Sequence, residues 1–275
     1  KVGNIPDFKS IRFIRMFMTG FQDSVVLRFA KLELVRNQWR RFNYELDTTG
    51  QYKTIPANTL TTFNQLAVNI EENNSRFPVP YKTPPDVIRQ QQLSNNNVNL
   101  FLNEQSLSMQ ICNLAQKDVR GVFKTLNLDL RQYGKLLLYT HIESAGTTDD
   151  IQDNEIYSVI RIGNDLINNF YEIRIPLRKT SWTGAHTEAE IWPEANNLEL
   201  DLQQLIDLKV QRNNAVSVSQ YYKQVAADGK EYGILGNPNL GEIRIFFLGI
   251  ENRSRPQACA EVWFNELRLG NLNEK

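Results

Sequence analysis

The residues of this chain that could take part in catalysis are few and far apart in the sequence. The two histidines are His141, in an apolar stretch, and His186, in a loop rich in Thr and Gly. Neither has an acid and a nucleophile at a motif spacing, and the chain has no Gly-x-Ser-x-Gly elbow, His-x-x-x-His pair or Gly-x-Gly-x-x-Gly loop. We therefore expect His141 to be a core histidine, and we predict that the chain is not an enzyme.

The two cysteines, Cys112 and Cys259, both lie in apolar segments that resemble strands. Two isolated cysteines without a nearby histidine pair cannot form a structural zinc site. Two interpretations stay open. Either both are buried free thiols, or one disulfide joins an early and a late strand of the same sandwich, which would indicate an oxidising compartment.

The chain has one acidic cluster, Asp149-Asp-Ile-Gln-Asp-Asn-Glu155. Closely spaced oxygen ligands in a loop can bind Ca²⁺, but the ligand order and the central Gly of an EF-hand are absent here. We interpret the cluster as a solvated loop. The sequence therefore predicts no metal and no cofactor.

Four aromatic residues form a weak candidate contact for a glycan or a protein partner: Trp182, Trp192, Tyr221 and Tyr222. They would stack on sugar rings only if they shared one exposed concave face, and packing in the core or at its rim is the alternative. The Asp and Glu residues are too scattered to nominate a glycosidase pair.

The composition is that of a soluble globular protein large enough for two domains, with 275 residues, 41% apolar and 23% charged. Lys plus Arg and Asp plus Glu both total 31, so no net charge attracts nucleic acid or anionic lipid. No run approaches the roughly 20 apolar residues of a spanning helix, so we expect this segment itself not to span a membrane. Because it begins at Lys1 without a signal peptide, we expect an excised piece of a longer protein.

From residue 98 onward the sequence shows short apolar alternations separated by turn residues, as in residues 107–111, 126–130 and 171–177. This spacing predicts a β-sandwich. A 3.6-residue period predicts one helix near residues 201–210.

A strand, a loop and a second strand near the C-terminus have a weaker copy near the N-terminus. Ile243-Arg-Ile-Phe-Phe-Leu-Gly249 matches Ile14-Arg-Met-Phe-Met-Thr-Gly20, and Glu266-Leu-Arg-Leu269 matches Lys31-Leu-Glu-Leu34. The copies differ mainly by a loop insertion, which costs little entropy. We expect residues 10–34 to form a hairpin whose apolar face is covered by other parts of the protein.

Together these patterns predict a mostly β chain with three parts. Residues 1–46 form a trailing hairpin of a preceding sandwich repeat, and residues 47–97 form a connection rich in Pro, Asn and Gln with one strand. Residues 98–275 form a complete sandwich with one or two short helices. Four prolines within residues 77–85 make that part of the connection stiff and extended.

Several stretches, in this order, resemble the SprA family, also called Sov, of very large outer-membrane proteins of Bacteroidota. Each motif is weak alone, but the resemblance runs over nearly the whole chain. The stretches are Ile14-Arg-Met-Phe-Met-Thr-Gly-Phe21, Leu27-Arg-Phe-Ala-Lys-Leu-Glu-Leu-Val-Arg36 with Trp39-Arg-Arg41, Asn103-Glu-Gln-Ser-Leu-Ser108, Arg161-Ile-Gly-Asn-Asp165, Asn168-Asn-Phe-Tyr-Glu172, Gly236-Asn-Pro238 and Glu261-Val-Trp-Phe-Asn-Glu-Leu-Arg268.

The resemblance implies a role in the type IX secretion translocon, which exports folded cargo and supports gliding motility. This chain would be a non-catalytic soluble domain with a structural or docking role, on the extracellular or periplasmic side of the outer membrane. Its partners would be other segments of the same parent protein, other secretion-system subunits and secreted cargo. By analogy its fold would be a jelly-roll sandwich of the galactose-binding kind. The alternative function is a carbohydrate-binding or adhesive module at the cell surface.

Overall fold

The structure is a computed structural model that describes residues 18–26, 39–56, 59–89, 91–92, 100–101 and 103–272. The chain divides into two units, residues 1–37 and residues 38–275. Of the first unit, residues 18–26 are described, and they contain no helix or strand. The hairpin predicted over residues 10–34 therefore lies, apart from residues 18–26, outside the described residues.

The described part of the second unit is built mainly from β-strands, with short helices between some of them. In chain order, the first seven strands are β1 (Arg40–Arg41), β2 (Thr62–Asn69), β3 (Gln91–Gln92), β4 (Leu100–Phe101), β5 (Gln105–Ala115), β6 (Val119–Leu128) and β7 (Tyr133–Ser144). The later strands are β8 (Ile156–Gly163), β9 (Phe170–Pro176), β10 (Leu198–Asp201), β11 (Tyr222–Val225), β12 (Glu231–Leu235), β13 (Ile243–Asn252) and β14 (Gln257–Leu272). The helices are α1 (Ile70–Asn73), α2 (Glu188–Ile191) and α3 (Leu202–Ala215), with one 3₁₀ turn at Glu194–Asn196.

These strands form two large antiparallel sheets and one small ribbon. The first sheet has seven strands in the order β1-β6-β13-β8-β9-β12-β11, and the second has five in the order β10-β7-β14-β5-β2. Strands β3 and β4 pair with each other. The arrangement confirms the predicted β-sandwich, whereas the jelly-roll topology stays a prediction.

The central core lies between the inner faces of the two sheets. In β9, Tyr171, Ile173 and Ile175 point inward and belong to this core, while Glu172 and Arg174 alternate with them on the other face. The same period of two places Leu136, Leu138 and Ile142 of β7 in the core from the opposite sheet. The alternation of apolar and polar residues along each strand therefore determines which side chains face the central core and which face outward.

The two strands of the C-terminal repeat unit, β13 and β14, belong to different sheets. Strand β13 pairs with β6 and β8 in the seven-stranded sheet, and β14 pairs with β5 and β7 in the five-stranded sheet. The loop between them carries the chain from one sheet to the other. Residues 243–272 are therefore a crossover between the two layers of the sandwich.

The outer face of each sheet is also covered. On the seven-stranded sheet, Phe42 packs in a second apolar cluster with Val159 and Phe247. On the five-stranded sheet, residues 77–85, here called the proline strap, contribute Val79 and Tyr81 to a third cluster. Both side chains are fully buried. The sandwich therefore has packed side chains on both sides of each sheet.

The helix predicted over residues 201–210 is confirmed and continues to Ala215 as α3. Its N-cap is Asp201, whose side chain accepts a hydrogen bond from the Gln203 backbone N–H, and the helix buries Leu205 and Leu208. After α3 the chain returns to the sheet as β11, which pairs with β12.

The three predicted domain ranges stay a prediction. The described sandwich does include β1, from the range 1–46, and β2, from the range 47–97. Strand β2 pairs along its whole length with β5 because its apolar alternation matches an open edge of the five-stranded sheet.

Candidate functional site

The most unusual chemistry of the described chain is a pair of buried carboxylates under the proline strap. Glu143 on β7 and Glu261 on β14 lie opposite each other on the outer face of the five-stranded sheet. Arg76, just before the strap, donates from Nη1 to Glu143 and from Nη2 to Glu261 Oε2 at 2.6 Å. Its Nη1 also donates to the Val79 carbonyl at 2.9 Å. One guanidinium therefore holds the strap to two neighbouring strands.

This cluster contains more negative than positive charge, and the effect on Glu143 is large. Burial raises the pKa of Glu143 to about 7, against the charge and hydrogen bond of Arg76. The nearby charges of Glu261 and Asp149 act in the same direction as burial. Glu143 therefore takes up a proton close to neutral pH.

His141 lies beside the same cluster and is fully buried. Its ring stacks on Trp263 with centroids 3.9 Å apart. Its Nδ1 is 2.9 Å from the Ile191 carbonyl oxygen and 3.1 Å from the Thr180 hydroxyl. Burial lowers the pKa of His141 to about 3, so the ring is neutral. These contacts are those of the core histidine that we expected.

A second buried ionic cluster lies on the outer face of the seven-stranded sheet. Glu172 of β9 pairs with Arg161 of β8, and it accepts from Arg174 Nε and from the Tyr221 hydroxyl, both at 2.8 Å. Arg161 Nη2 also donates to the Asp47 carbonyl at 2.8 Å, which attaches the covering segment to the sheet.

The balance of charge around Glu172 is opposite to that around Glu143. Burial alone would raise the pKa of Glu172, but the charges of Arg161 and Arg174 outweigh it and lower the pKa to about 2. Glu172 therefore stays ionised at every physiological pH. The two outer faces therefore contain buried carboxylates in opposite protonation regimes.

The two cysteines meet in the five-stranded sheet. Cys112 on β5 and Cys259 on β14 have Cα atoms 4.0 Å apart and form a disulfide. It joins neighbouring strands where the register shifts between Ala258 and Ala260. Of the two interpretations left open by the sequence, the structure has the disulfide.

The four candidate aromatic residues do not share one exposed face. Trp192 is 2% exposed and lies in the cluster under the proline strap, and Trp182 packs against that cluster. Tyr221 donates to Glu172 on the other sheet, and Tyr222 packs against the central core. The condition for sugar stacking is therefore not met, because the fold distributes these residues over both sheets and uses their rings for packing.

The acidic loop is held by cations of the same chain. Asp149 accepts from Lys179 Nζ at 3.1 Å, and Arg255 pairs with Asp150 at 2.6 Å and with Glu155 at 3.0 Å. Among the described residues there is no group of three or more His, Cys, Asp or Glu that could hold a metal ion. Three of the four carboxylates of this loop are therefore in ion pairs, and the fourth, Asp153, accepts from the Lys179 backbone N–H at 3.0 Å.

Sequence reasoning missed the charged residues of both outer clusters, including Arg76, Glu143, Glu172 and Glu261. A signal was present: Arg161 and Glu172 interrupt the apolar stretches that form β8 and β9. A charged residue at such a position must find a partner, since an unpaired buried charge is very costly. The partner's identity was not visible, because it depends on which strands are neighbours.

A comparison with protein families agrees with the resemblance carried by the motifs. A family model for the N-terminal part of SprA, described as motility related/secretion protein, matches residues 1–275. No curated protein matches the chain. No helix among the described residues is long and apolar enough to cross a membrane.

Proposed function

Because the chain belongs to the SprA N-terminal family of motility-related/secretion proteins, we propose that it is a non-catalytic structural domain of the type IX translocon. In this proposal it is a soluble part of a much larger outer-membrane protein, on its extracellular or periplasmic side. It serves as a rigid wall or docking surface during protein export. Its partners are other segments of the same parent protein, other subunits of the secretion system and the exported cargo.

The observation that supports this proposal is that both sheets are covered on their outer faces and that arginines of the two buried ionic clusters attach the covers. Arg76 attaches the proline strap to β7 and β14, and Arg161 attaches the segment at Asp47 to the opposite sheet. Such networks favour one arrangement, because a displaced cover leaves buried charges without partners. A domain of this kind suits a load-bearing role.

The non-catalytic part of the proposal rests on how the reactive side chains are used. His141 is buried against Trp263, and Glu172 is held between two arginines. A catalytic acid or base must reach a substrate proton directly or through one water. Both of these groups are instead enclosed by packing and by permanent partners.

The test is an in-frame deletion of residues 38–275 from the gene of the parent protein, with secreted proteins and gliding scored. We expect export to stop while the shortened parent still reaches the outer membrane, which membrane fractionation measures in parallel. Normal export with the deletion would contradict the proposal and would favour an appended binding module.

A point variant separates a structural role from simple loss of the domain. Glu172→Gln removes the charge between Arg161 and Arg174, whereas Glu242→Gln removes a carboxylate from a surface pair with Arg244. We expect Glu172→Gln to reduce export in proportion to its loss of stability. The matched control, Glu242→Gln, should export normally. Equal export by both variants at equal parent levels would argue against a load-bearing role.

A further inference from the structure

A cavity of about 520 Å³ opens at one end of the sandwich, beside α3. It lies where β6 ends, where β7 begins and where the chain leads into β13. Its wall is mainly apolar and includes Leu130, Tyr133, Leu202, Ile206 and Leu240. This volume is within the range of about 300–1,000 Å³ that is typical of small-molecule sites.

Lys209 is the cation of this cavity whose charge is not balanced. Its ammonium donates one hydrogen bond, to the Pro238 carbonyl at 2.8 Å, and two of its three donors remain. Within the described part of the chain it makes no ion pair, and the charge that acts on it is that of Arg212, another cation. Burial and Arg212 both lower the pKa of Lys209, so a bound anion would supply the charge that is missing.

Three other polar side chains of the cavity wall, those of Arg131, Asp201 and Gln203, already have partners. Arg131 donates to Asp129 from Nε and Nη2 at 2.9 Å and 2.6 Å, and Asp201 accepts from the Gln203 backbone at 2.9 Å. The Gln203 amide donates to Asp207 at 2.9 Å. A peptide would bring several backbone amides that need partners, whereas an alkyl chain brings none. The wall therefore favours a ligand with a single anionic group on an apolar chain.

The apolar surface continues out of the cavity along α3. Ile206 and Val210 lie one helical turn apart, and they are 44% and 54% exposed. Ile206 belongs both to the cavity wall and to this exposed stripe. A chain too long for the cavity can therefore lie along the helix.

We propose that this cavity binds an alkyl carboxylate, with the carboxylate at Lys209 and the alkyl chain against the apolar wall. The ammonium supplies a charge-assisted hydrogen bond, and the chain is removed from water by Leu130, Leu202 and Leu240. This site is separate from the two ionic clusters, and the inference does not depend on the role in secretion.

The test is titration of the 275-residue chain with octanoate by calorimetry, with octanamide as the uncharged probe of equal length. We expect octanoate to bind and octanamide to bind at least about 10-fold more weakly, since a hydrogen bond to a charged group is lost. Lys209→Gln should weaken octanoate binding by about 10-fold or more. The matched control Lys223→Gln, which removes a lysine paired with Glu231 away from the cavity, should bind like the natural chain.

A second variant keeps the test decisive if Lys209→Gln folds poorly. Ile206→Ser changes an exposed position, so it should fold, and it should weaken octanoate several-fold by removing apolar contact. Equal binding of octanoate and octanamide, or unchanged binding by both variants, would overturn the proposal. So would tighter binding of a Leu-terminated peptide with a free carboxylate, because the ligand would then be a peptide end.

Discussion

Removing the ionisable group of Glu143 and that of Glu172, which lie buried on opposite sheets, should change the stability of the fold in opposite directions. The perturbations are Glu143→Gln and Glu172→Gln, which keep the side-chain shape and remove the ionisable group. The pKa of Glu143 is about 7 and that of Glu172 about 2, against an ordinary 4.5. Each unit of difference corresponds to about 1.4 kcal/mol, so each carboxyl changes the free energy of unfolding by about 3 kcal/mol, with opposite sign.

The sign follows from which state binds the proton more tightly. Because the folded protein holds the proton of Glu143 more tightly, this group stabilises the fold below pH 4.5, and that stabilisation is lost as pH rises through 7. Glu172 stabilises the fold above pH 4.5, and its contribution is lost as pH falls through 2. The low pKa of His141 destabilises the fold in acid, which is opposite to the effect of Glu143. Because His141 is present in every variant, its contribution cancels when their stabilities are compared.

The assay is urea unfolding of the natural chain and both variants at pH 7.5 and pH 5.5. At pH 7.5 we expect Glu143→Gln to be at least as stable as the natural chain, by up to about 3 kcal/mol. At pH 5.5 this advantage should shrink by about 2 kcal/mol, because the natural Glu143 is then protonated. Glu172→Gln should lose about 3–5 kcal/mol at both pH values, since it leaves Arg161 buried without its partner.

Two results would refute this reasoning. One is a loss of stability in Glu143→Gln at pH 7.5 that equals the loss in Glu172→Gln, which would mean that both carboxylates are needed as charges. The other is a difference between Glu143→Gln and the natural chain that does not change with pH. That outcome would mean that burial and Glu261 do not raise the pKa of Glu143 into the range between pH 5.5 and 7.5.

Three further predictions concern other parts of the fold and are checked by thermal or urea unfolding. Gly163→Ala should cost several kcal/mol, because its Cβ would collide with the Asn169 carbonyl oxygen, whereas Gly146→Ala, with its nearest neighbour at 3.8 Å, should be nearly neutral. Replacing Cys112 and Cys259 together by Ser should cost about 2–4 kcal/mol, since the disulfide spans 147 residues of sequence. Equal stability in oxidised and reduced buffer would contradict this. Asp201→Ala should cost about 1 kcal/mol by removing the N-cap of α3, and an unchanged midpoint would argue against that cap.

Local patterns in the sequence were enough to predict the class of fold and several of its elements. The alternation around Ile173 and Ile175 predicts β9, and the spacing of Leu202 and Leu205 predicts α3, because each depends on residues close in the chain. The disulfide was one of two open interpretations. Its formation depends on β5 and β14 being neighbours, which no local pattern reveals.

The parts that could not be predicted all depend on pairing between distant segments. The Trp192 indole donates to the Lys82 carbonyl, 110 residues away in the sequence, at 2.8 Å under the proline strap. Arg76 finds Glu261 across 185 residues. Such contacts depend on the order of strands in the sheets and on the paths of the covering segments. They therefore leave no local spacing pattern in the sequence from which they could be predicted.

The crossover of β13 and β14 between the layers has a consequence for how the domain forms along its chain. Strand β13 is the only described link between β6 and β8, and β14 is the only described link between β5 and β7. Until β13 is available the described strands of the seven-stranded sheet form two separate groups, and until β14 is available the same holds for the five-stranded sheet. A chain that emerges from the ribosome or crosses a membrane with its N-terminus first therefore cannot complete either layer early. Each layer can close only after its joining strand, near the end of the described chain, has been added, so apolar inner faces stay exposed until late in synthesis or export.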